Sequence, residues 1–532
     1  MRADYVIVGA GSSGCVLANR LSAPPDNNVV LLEAGGRDSS MWIHMPAGSR
    51  NVVGNPATDW CYETEIESGL GNRRGPVVRG KVLGGSSSIN GTVYTRGIPS
   101  DYDYWRQLGL VGWSWDDVVP FFRSIERWRH GSPDEPCKGE LHIERPVLAM
   151  PVFDILAEAA RQAGFRDTPG FNSGDPTGFG VYDVTQRFGL RQSSATAFLK
   201  PAQGRRNLEV ITKAHCLGLT FEGRRATGVR VRMDDGSERV ISARREVILA
   251  AGAIGSPQIL QLSGIGPGAV LQNAGVPVLL ERDAVGGNLQ DHVSMRLAWK
   301  IHGAATINTR YNSLFKRALI GLEYVLMRRG PGVMPGPLWG GYFKTDPGLE
   351  HSNVQMFVMP ATFSGSTSFT TLDWFDGISC GIYHMHPRSR GRVWITSSDP
   401  TASPSILHNY LQDPYDQKVA IDSLKLGRCW AKQPAFQALR PEELRPGQEF
   451  QGDEELLRQA RRQCGTAYHQ VGTCAMGAHE EAPLDERLKL RGIDGLRVVD
   501  GSAIPKVISG NTNAPIMMMA AKASAMILQD NR

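Results

Sequence analysis

At 532 residues the chain exceeds what one hydrophobic core organises, so two domains are expected. Its 41% hydrophobic and 21% charged residues, with no low-complexity tract, exclude a disordered or fibrous chain. A net charge of +5 on so long a chain argues against a nucleic-acid partner and leaves room only for weak, peripheral attraction to an anionic membrane surface.

The first element is a strand, Tyr5-Val6-Ile7-Val8, running into Gly9-Ala10-Gly11-Ser12-Ser13-Gly14 and a helix. A second strand, Val29–Leu32, ends on Glu33, 19 positions beyond Gly14 (33 − 14). This is the spacing of a dinucleotide-binding turn. Gly9 allows the sharp turn, Gly11 lets a pyrophosphate approach the backbone, and Gly14 lets the helix lie close to the strand. The free N–H groups of the helix start, with Ser12 and Ser13, face the phosphates, and Glu33 can accept from a ribose. Next comes Gly80-Lys81-Val82-Leu83-Gly84-Gly85-Ser86-Ser87-Ser88-Ile89-Asn90-Gly91, a loop able to approach an extended polar cofactor. Glu246–Ala251 reads as a buried parallel strand closed by Gly252, the first residue of the run Gly252–Gly266.

Segments such as Asn353–Val358 and Arg392–Thr396 alternate like half-buried strands, with Gly- and Pro-rich breaks at Gly330–Pro337 and Asp399–Pro404. They predict a second, mostly antiparallel domain over 156–204 and 296–459, inserted into a nucleotide domain formed by 1–155, 205–295 and 460–532. Asp453 starts a helix whose acidic first turn and later arginines suit its dipole. After it come Tyr468-His469-Gln470-Val471-Gly472-Thr473-Cys474-Ala475-Met476-Gly477 and the strand Leu496–Val499, which ends on Asp500-Gly501. Then follow Gly510-Asn511-Thr512-Asn513-Ala514-Pro515 and a terminal helix over Ile516–Leu528 with Pro515 as its first residue. Asp500 and Gly501, at a strand's carboxyl end, can face the same cofactor. The eight cysteines lack paired spacing and suggest neither a disulfide scaffold nor zinc. His384 and His386 lack a third ligand, so no metal is expected. No apolar run nears the ~20 residues of a membrane span, and the chain opens without a signal-peptide core. The cytoplasm is the expected location.

Taken in order, the five glycine-bearing motifs closely resemble the glucose–methanol–choline (GMC) family of FAD-dependent oxidoreductases, from residue 4 to about 528. The resemblance implies a Rossmann-like α/β domain binding FAD and an inserted substrate domain of antiparallel sheet plus helices. It implies cofactor contacts at Gly9, Gly11, Ser12, Ser13, Gly14 and Glu33 for the ADP end. It adds Trp60, Gly84, Gly85, Ser86, Asn90, Gly91 and Val93 near the flavin, Cys216 near adenine, and Asp500, Gly501 and Asn511 closing the site. Relatives place the counterpart of His469 at flavin N5 with a second His or Asn beside it, matched here by Asn513, 44 positions on (513 − 469). An imidazole can take the hydroxyl proton of an alcohol while a carboxamide steadies the alkoxide.

Some relatives tether FAD through a histidine in the second glycine loop. Ile89 occupies that position, so the FAD is expected to be non-covalent. The implied activity is oxidation of a primary aliphatic or aromatic alcohol by an FAD-dependent dehydrogenase or oxidase. The acceptor would be quinone-like, a protein, or oxygen. A region around Met334–Trp339, with Tyr342 and Phe343, suggests an apolar pocket without the acid that choline-oxidising relatives use. Alternatives are choline oxidation within the same family, a hydroxynitrile lyase keeping FAD as a structural part, and a nicotinamide dehydrogenase built on the same glycine turn.

Overall fold

The computed structural model describes residues 1–129, 137–146, 150–365 and 371–531. The apolar run at the N-terminus forms β1 (Arg2–Val8), which leads into α1 (Ser12–Leu21) and β2 (Val29–Leu32). Four later strands join them: β3 (Leu208–Ile211), β4 (His215–Glu222), β5 (Arg225–Arg232) and the long β6 (Glu238–Leu249), which ends at α2 (Gly252–Leu262). The sheet order is β3–β2–β1–β6–β5–β4. Pairing is parallel from β3 to β6 and antiparallel through β5 and β4. β1 pairs through Tyr5–Val8 with both β2 and β6, so it is buried on both faces, as its unbroken apolar run demands.

The second sheet is antiparallel, as the alternation over Asn353–Val358 predicts, whereas Arg392–Trp394 pairs with Ser405–Leu407 in a separate two-stranded sheet. The second sheet contains β7 (Val293–Lys300), β8 (Trp339–Phe343), β9 (Val354–Met359), β10 (Gly377–His384) and β11 (Glu442–Arg445), in the order β8–β9–β10–β7–β11. Between β7 and β8 lies the surface helix α3 (Leu314–Met327). On one face of the sheet Trp299 and Trp339 pack against Trp430 of α4 (Pro414–Ala431) and against Phe436 or Phe179. The short β12 (Gly465–Thr466) pairs with Val293–Ser294 of β7, so the segment before His469 is stitched onto the second sheet.

The chain then returns to the first sheet. β13 (Leu496–Val498) pairs parallel with Val247–Leu249 of β6. The terminal helix α5 (Asn513–Asp530) packs along α1, its Met517, Met518 and Met519 buried in the first core. It starts at Asn513, with Pro515 as the third helical residue rather than the first. Pro is tolerated there because the first turn of a helix has no intrahelical partner for its N–H groups. Among the described residues no helix is long and apolar enough to cross a membrane, no group of His, Cys, Asp or Glu could hold a metal ion, and Cys15, Cys61, Cys216, Cys380, Cys429, Cys464 and Cys474 are free thiols.

Candidate active site

The parallel strands of the first sheet end at a cleft of about 1130 Å³ that opens to solvent. Its lining includes Gly9, Gly11, Ser12, Ser13, Glu33, Trp60, Gly85, Ser86, Cys216, Asp500 and Gly501. Glycine is obligatory where backbones meet. A Cβ on Gly14 would lie 1.8 Å from the Gly9 carbonyl oxygen, and one on Gly85 would lie 2.7 Å from Gly11 Cα. The second glycine loop is thus pressed onto the first turn, and the Gly84 N–H donates to the Ala10 carbonyl at 2.7 Å. No side chain caps the start of α1, so its first N–H groups remain available at the cleft.

Three residues expected at the cofactor do additional work within the protein. Glu33 accepts from the N–H groups of Ala10 at 2.9 Å and Gly35 at 2.8 Å, and burial pushes its carboxyl up to about 7. A carboxyl poised there can donate to or accept from a ribose hydroxyl. Both oxygens of Asp500 are engaged: one by Gly252 N–H at 2.8 Å and Ser256 Oγ at 2.6 Å, the other by Ser502. Asp500 therefore joins the start of α2 to the strand end. Asn90 is held by Arg191, whose Nη1 bonds its carbonyl at 2.7 Å and its side-chain oxygen at 2.8 Å. Ile89 is buried against Ile43, Val52 and Val82. Val93 is 8% exposed in the second core, and Gly91 has no atom near its Cβ direction.

The second constellation centres on His469. Tyr468, the residue before it, has φ of 65°, a left-handed conformation that non-glycine residues adopt only when held. Three bonds hold it: Thr466 Oγ1 accepts from Tyr468 N–H at 2.7 Å, Arg79 Nη2 donates to the Tyr468 carbonyl at 2.7 Å, and Asp291 Oδ1 accepts from His469 N–H at 2.7 Å. The imidazole then takes its place in a chain. His292 Nε2 lies 2.7 Å from the Met385 carbonyl oxygen, and His292 Nδ1 lies 2.9 Å from His469 Nδ1. A carbonyl only accepts, so His292 is protonated on Nε2 and offers Nδ1 as acceptor. His469 must donate from Nδ1, which leaves its Nε2 as a lone pair. Burial, with Arg79 adding its positive field, pushes the His469 imidazole down to about 3, so it is neutral. Burial, reinforced by neighbouring His469, holds His292 well below its ordinary value too.

The carboxamide beside His469 belongs to Asn511, not Asn513. Asn511 Nδ2 lies 3.0 Å from His469 Nε2, 42 positions along the chain (511 − 469). Asn513 faces the other way and accepts from Ser12 Oγ at 2.8 Å, tying the start of α5 to the start of α1. The family match falls on Asn513, whereas the carboxamide hydrogen-bonded to His469 is that of Asn511.

Opposite His469 stands one register row of the second sheet. Tyr342 pairs with Gln355, Gln355 with Tyr383, and Tyr383 with Ser294, so the four side chains share a face. The Tyr383 ring stacks on His292 with centroids 4.7 Å apart and its hydroxyl donates to Gln355 Oε1. A Cβ on Gly510 would meet the Tyr342 hydroxyl at 2.6 Å and Thr95 Oγ1 at 2.8 Å, which places this row against the Gly510–Asn511 turn. The expected apolar pocket is accordingly corrected: strand alternation turns Trp339 and Phe343 to the opposite face, and only Tyr342 looks toward the site.

The family model described as GMC oxidoreductase matches residues 3–294, and its C-terminal counterpart matches residues 387–520. The chain belongs to the GMC oxidoreductase family. It is 38% identical to "Oxygen-dependent choline dehydrogenase" of Photobacterium profundum over 99% of this chain and 93% of that one. It is 37% identical to "Alcohol dehydrogenase (acceptor)" of Pseudomonas putida over 99% and 96%. The crystal structure of pyridoxine 4-oxidase from "Mesorbium loti" superposes with a TM-score of 0.89 at 30% identity, covering 98% of each chain.

As a GMC oxidoreductase the protein is an FAD enzyme acting on CH–OH donors. Its cleft fits that cofactor. Gly9, Gly14 and Gly85 leave no room for a Cβ around it, the uncapped start of α1 could hold the pyrophosphate, and Glu33 in the lining could hold the ribose. Sequence reasoning named Tyr342 for a pocket but missed His292, Arg79, Gln355, Tyr383 and Ser294. Nothing local marks them; strand pairing brings the row together, and hydrogen bonds from distant segments bring in His292 and Arg79.

Proposed function

We propose that the enzyme oxidises a neutral primary alcohol to the aldehyde, with His469 as general base and Asn511 as oxyanion donor. The observation that carries this reading is the hydrogen-bond chain Met385–His292–His469–Asn511, which fixes an unprotonated Nε2 next to an amide donor. A hydroxyl inserted between them donates to His469 Nε2 and accepts from Asn511 Nδ2. As the proton moves to Nε2, the amide stabilises the charge left on oxygen. Bound FAD supplies the acceptor for the hydride released from the carbinol carbon. Both second-sheet tyrosines and Gln355 are buried and exclude water from the reacting carbon. One relative is named for an unspecified acceptor and others for oxygen dependence, so the acceptor is a quinone-like compound, a protein or oxygen.

A second reading, choline oxidation, has the names of several relatives in its favour. The facing row of two tyrosines, a glutamine and a serine favours an uncharged substrate instead, because none of the four offers a carboxylate to a quaternary ammonium. Anaerobic flavin bleaching decides between them. Choline is compared with its carbon isostere, in which a tert-butyl group replaces trimethylammonium, within a wider panel of primary alcohols. Faster bleaching by the isostere is expected, and bleaching should fall by about two orders of magnitude or more in His469→Ala. Equal bleaching by that variant would remove His469 as the base, and preference for choline would establish the second reading.

A further inference from the structure

We infer that α3 and the apolar rim around it form a docking surface for an anionic lipid bilayer. The inference is independent of the substrate proposed above. An ordinary surface helix turns its apolar stripe inward. On α3 the arrangement is inverted, because Tyr324 is its one buried residue, bonded through its hydroxyl to the Gly189 carbonyl at 3.1 Å. Phe315, Leu319, Leu322 and Leu326 recur at the i, i+4, i+7 and i+11 spacing of a single face, and all four are exposed, Phe315 by 73% and Leu326 by 69%. Leu314, Val325 and Met327 are exposed beside them. So large a contiguous apolar surface is not left to water without a partner.

The rim extends the surface at both ends. Asn312 Nδ2 donates to the Asp373 carbonyl at 3.1 Å, which sets Trp374, 80% exposed, by the start of the helix. At the other end Ser49 Oγ bonds the Pro335 carbonyl at 3.1 Å and brings in the segment carrying exposed Met41 and Trp42. Tryptophan at the edge of an apolar patch suits the headgroup level of a membrane.

Charge decides the occupant. Arg310, Lys316, Arg317, Arg328 and Arg329 surround the stripe, whereas Glu323 is the one acid from Thr306 to Gly330 and is engaged by Arg329 at 3.0 Å. A second copy of the chain facing this surface would bring two such cationic rings together. Anionic headgroups neutralise the ring while the acyl boundary takes the apolar stripe. Ile43 and Val52, from the rim segment, pack on Ile89 of the second glycine loop, so the docked face lies beside the cofactor cleft.

The test uses the FAD-loaded enzyme in sedimentation with phosphatidylcholine vesicles, with and without phosphatidylglycerol. Binding is expected only to the anionic vesicles and should weaken with salt. Lys316→Glu with Arg317→Glu should weaken it by about tenfold or more. Leu319→Glu with Leu326→Glu should abolish it, while alcohol-driven flavin bleaching in solution stays unchanged. Three outcomes overturn the inference: no sedimentation with either vesicle, equal and salt-insensitive sedimentation with both, or a concentration-dependent dimer that the leucine variants dissociate. The wild-type salt and lipid dependence stands even if a variant fails to fold.

Discussion

The two walls of the active site are specified in opposite ways. The cofactor wall is local: within a few residues, Gly9 and Gly14 create a turn whose backbone admits no Cβ at either position. The substrate wall is assembled from Tyr342, Gln355, Tyr383 and Ser294, each from a different strand and meaningful only once four strands have found register. The first wall is expected to tolerate almost no change, whereas the second can be retuned one side chain at a time.

That contrast can be broken by mutation. The largest effect is expected from Gly14→Ala, whose new Cβ has backbone oxygen 1.8 Å away and no flexible group to displace. The purified variant should show a flavin-to-protein absorbance ratio near zero. Full occupancy would show that the first wall is more pliable than its geometry allows. Next comes the asparagine pair. Asn511→Ala should retain FAD and slow alcohol-driven bleaching by about 10²-fold, the cost of losing one oxyanion donor. Asn513→Ala should chiefly loosen FAD through the lost Ser12 contact. The reverse ranking would return the catalytic role to Asn513.

His292 acts at one remove, as a positioning residue. His292→Phe removes the acceptor that holds the proton of His469 on Nδ1, and bleaching should slow by about ten- to a hundredfold. His292→Gln keeps an acceptor oxygen and should recover part of that loss, which a purely space-filling role would not produce. The smallest and most diagnostic effect concerns pH. His469 is held down to about 3, so the bleaching rate should show no acid limb near 6.5. In the folded state the imidazole resists protonation, whereas the unfolded chain protonates near 6.5, so stability is full above that value and falls as pH drops toward 3. The denaturant midpoint should fall across this window in the wild type and less steeply in His292→Phe.

How much was legible follows from the same contrast. The glycine turn, the buried parallel strands and the antiparallel middle follow from local composition and period. The bond between Asn511 and His469 did not, because it is closed between segments 42 positions apart, and neither did the start of the terminal helix. Any of the first-turn positions accommodates Pro515, so the proline could not fix the start to better than two residues. Trp339 and Phe343 were assigned to the pocket because alternation tells which residues share a face but not which face meets the site. His292 follows Gln290-Asp291 with no motif of its own, and its partner is reached only through the pairing of β7 with β12.

The bond between Ser12 and Asn513 spans 501 positions and joins the first helix of the chain to the last. A nascent polypeptide therefore emerges from the ribosome with its nucleotide turn complete but one side of the binding site still unsynthesised. Completion of the cleft waits for α5, and a chain ended upstream of it is expected to hold less flavin than the full chain.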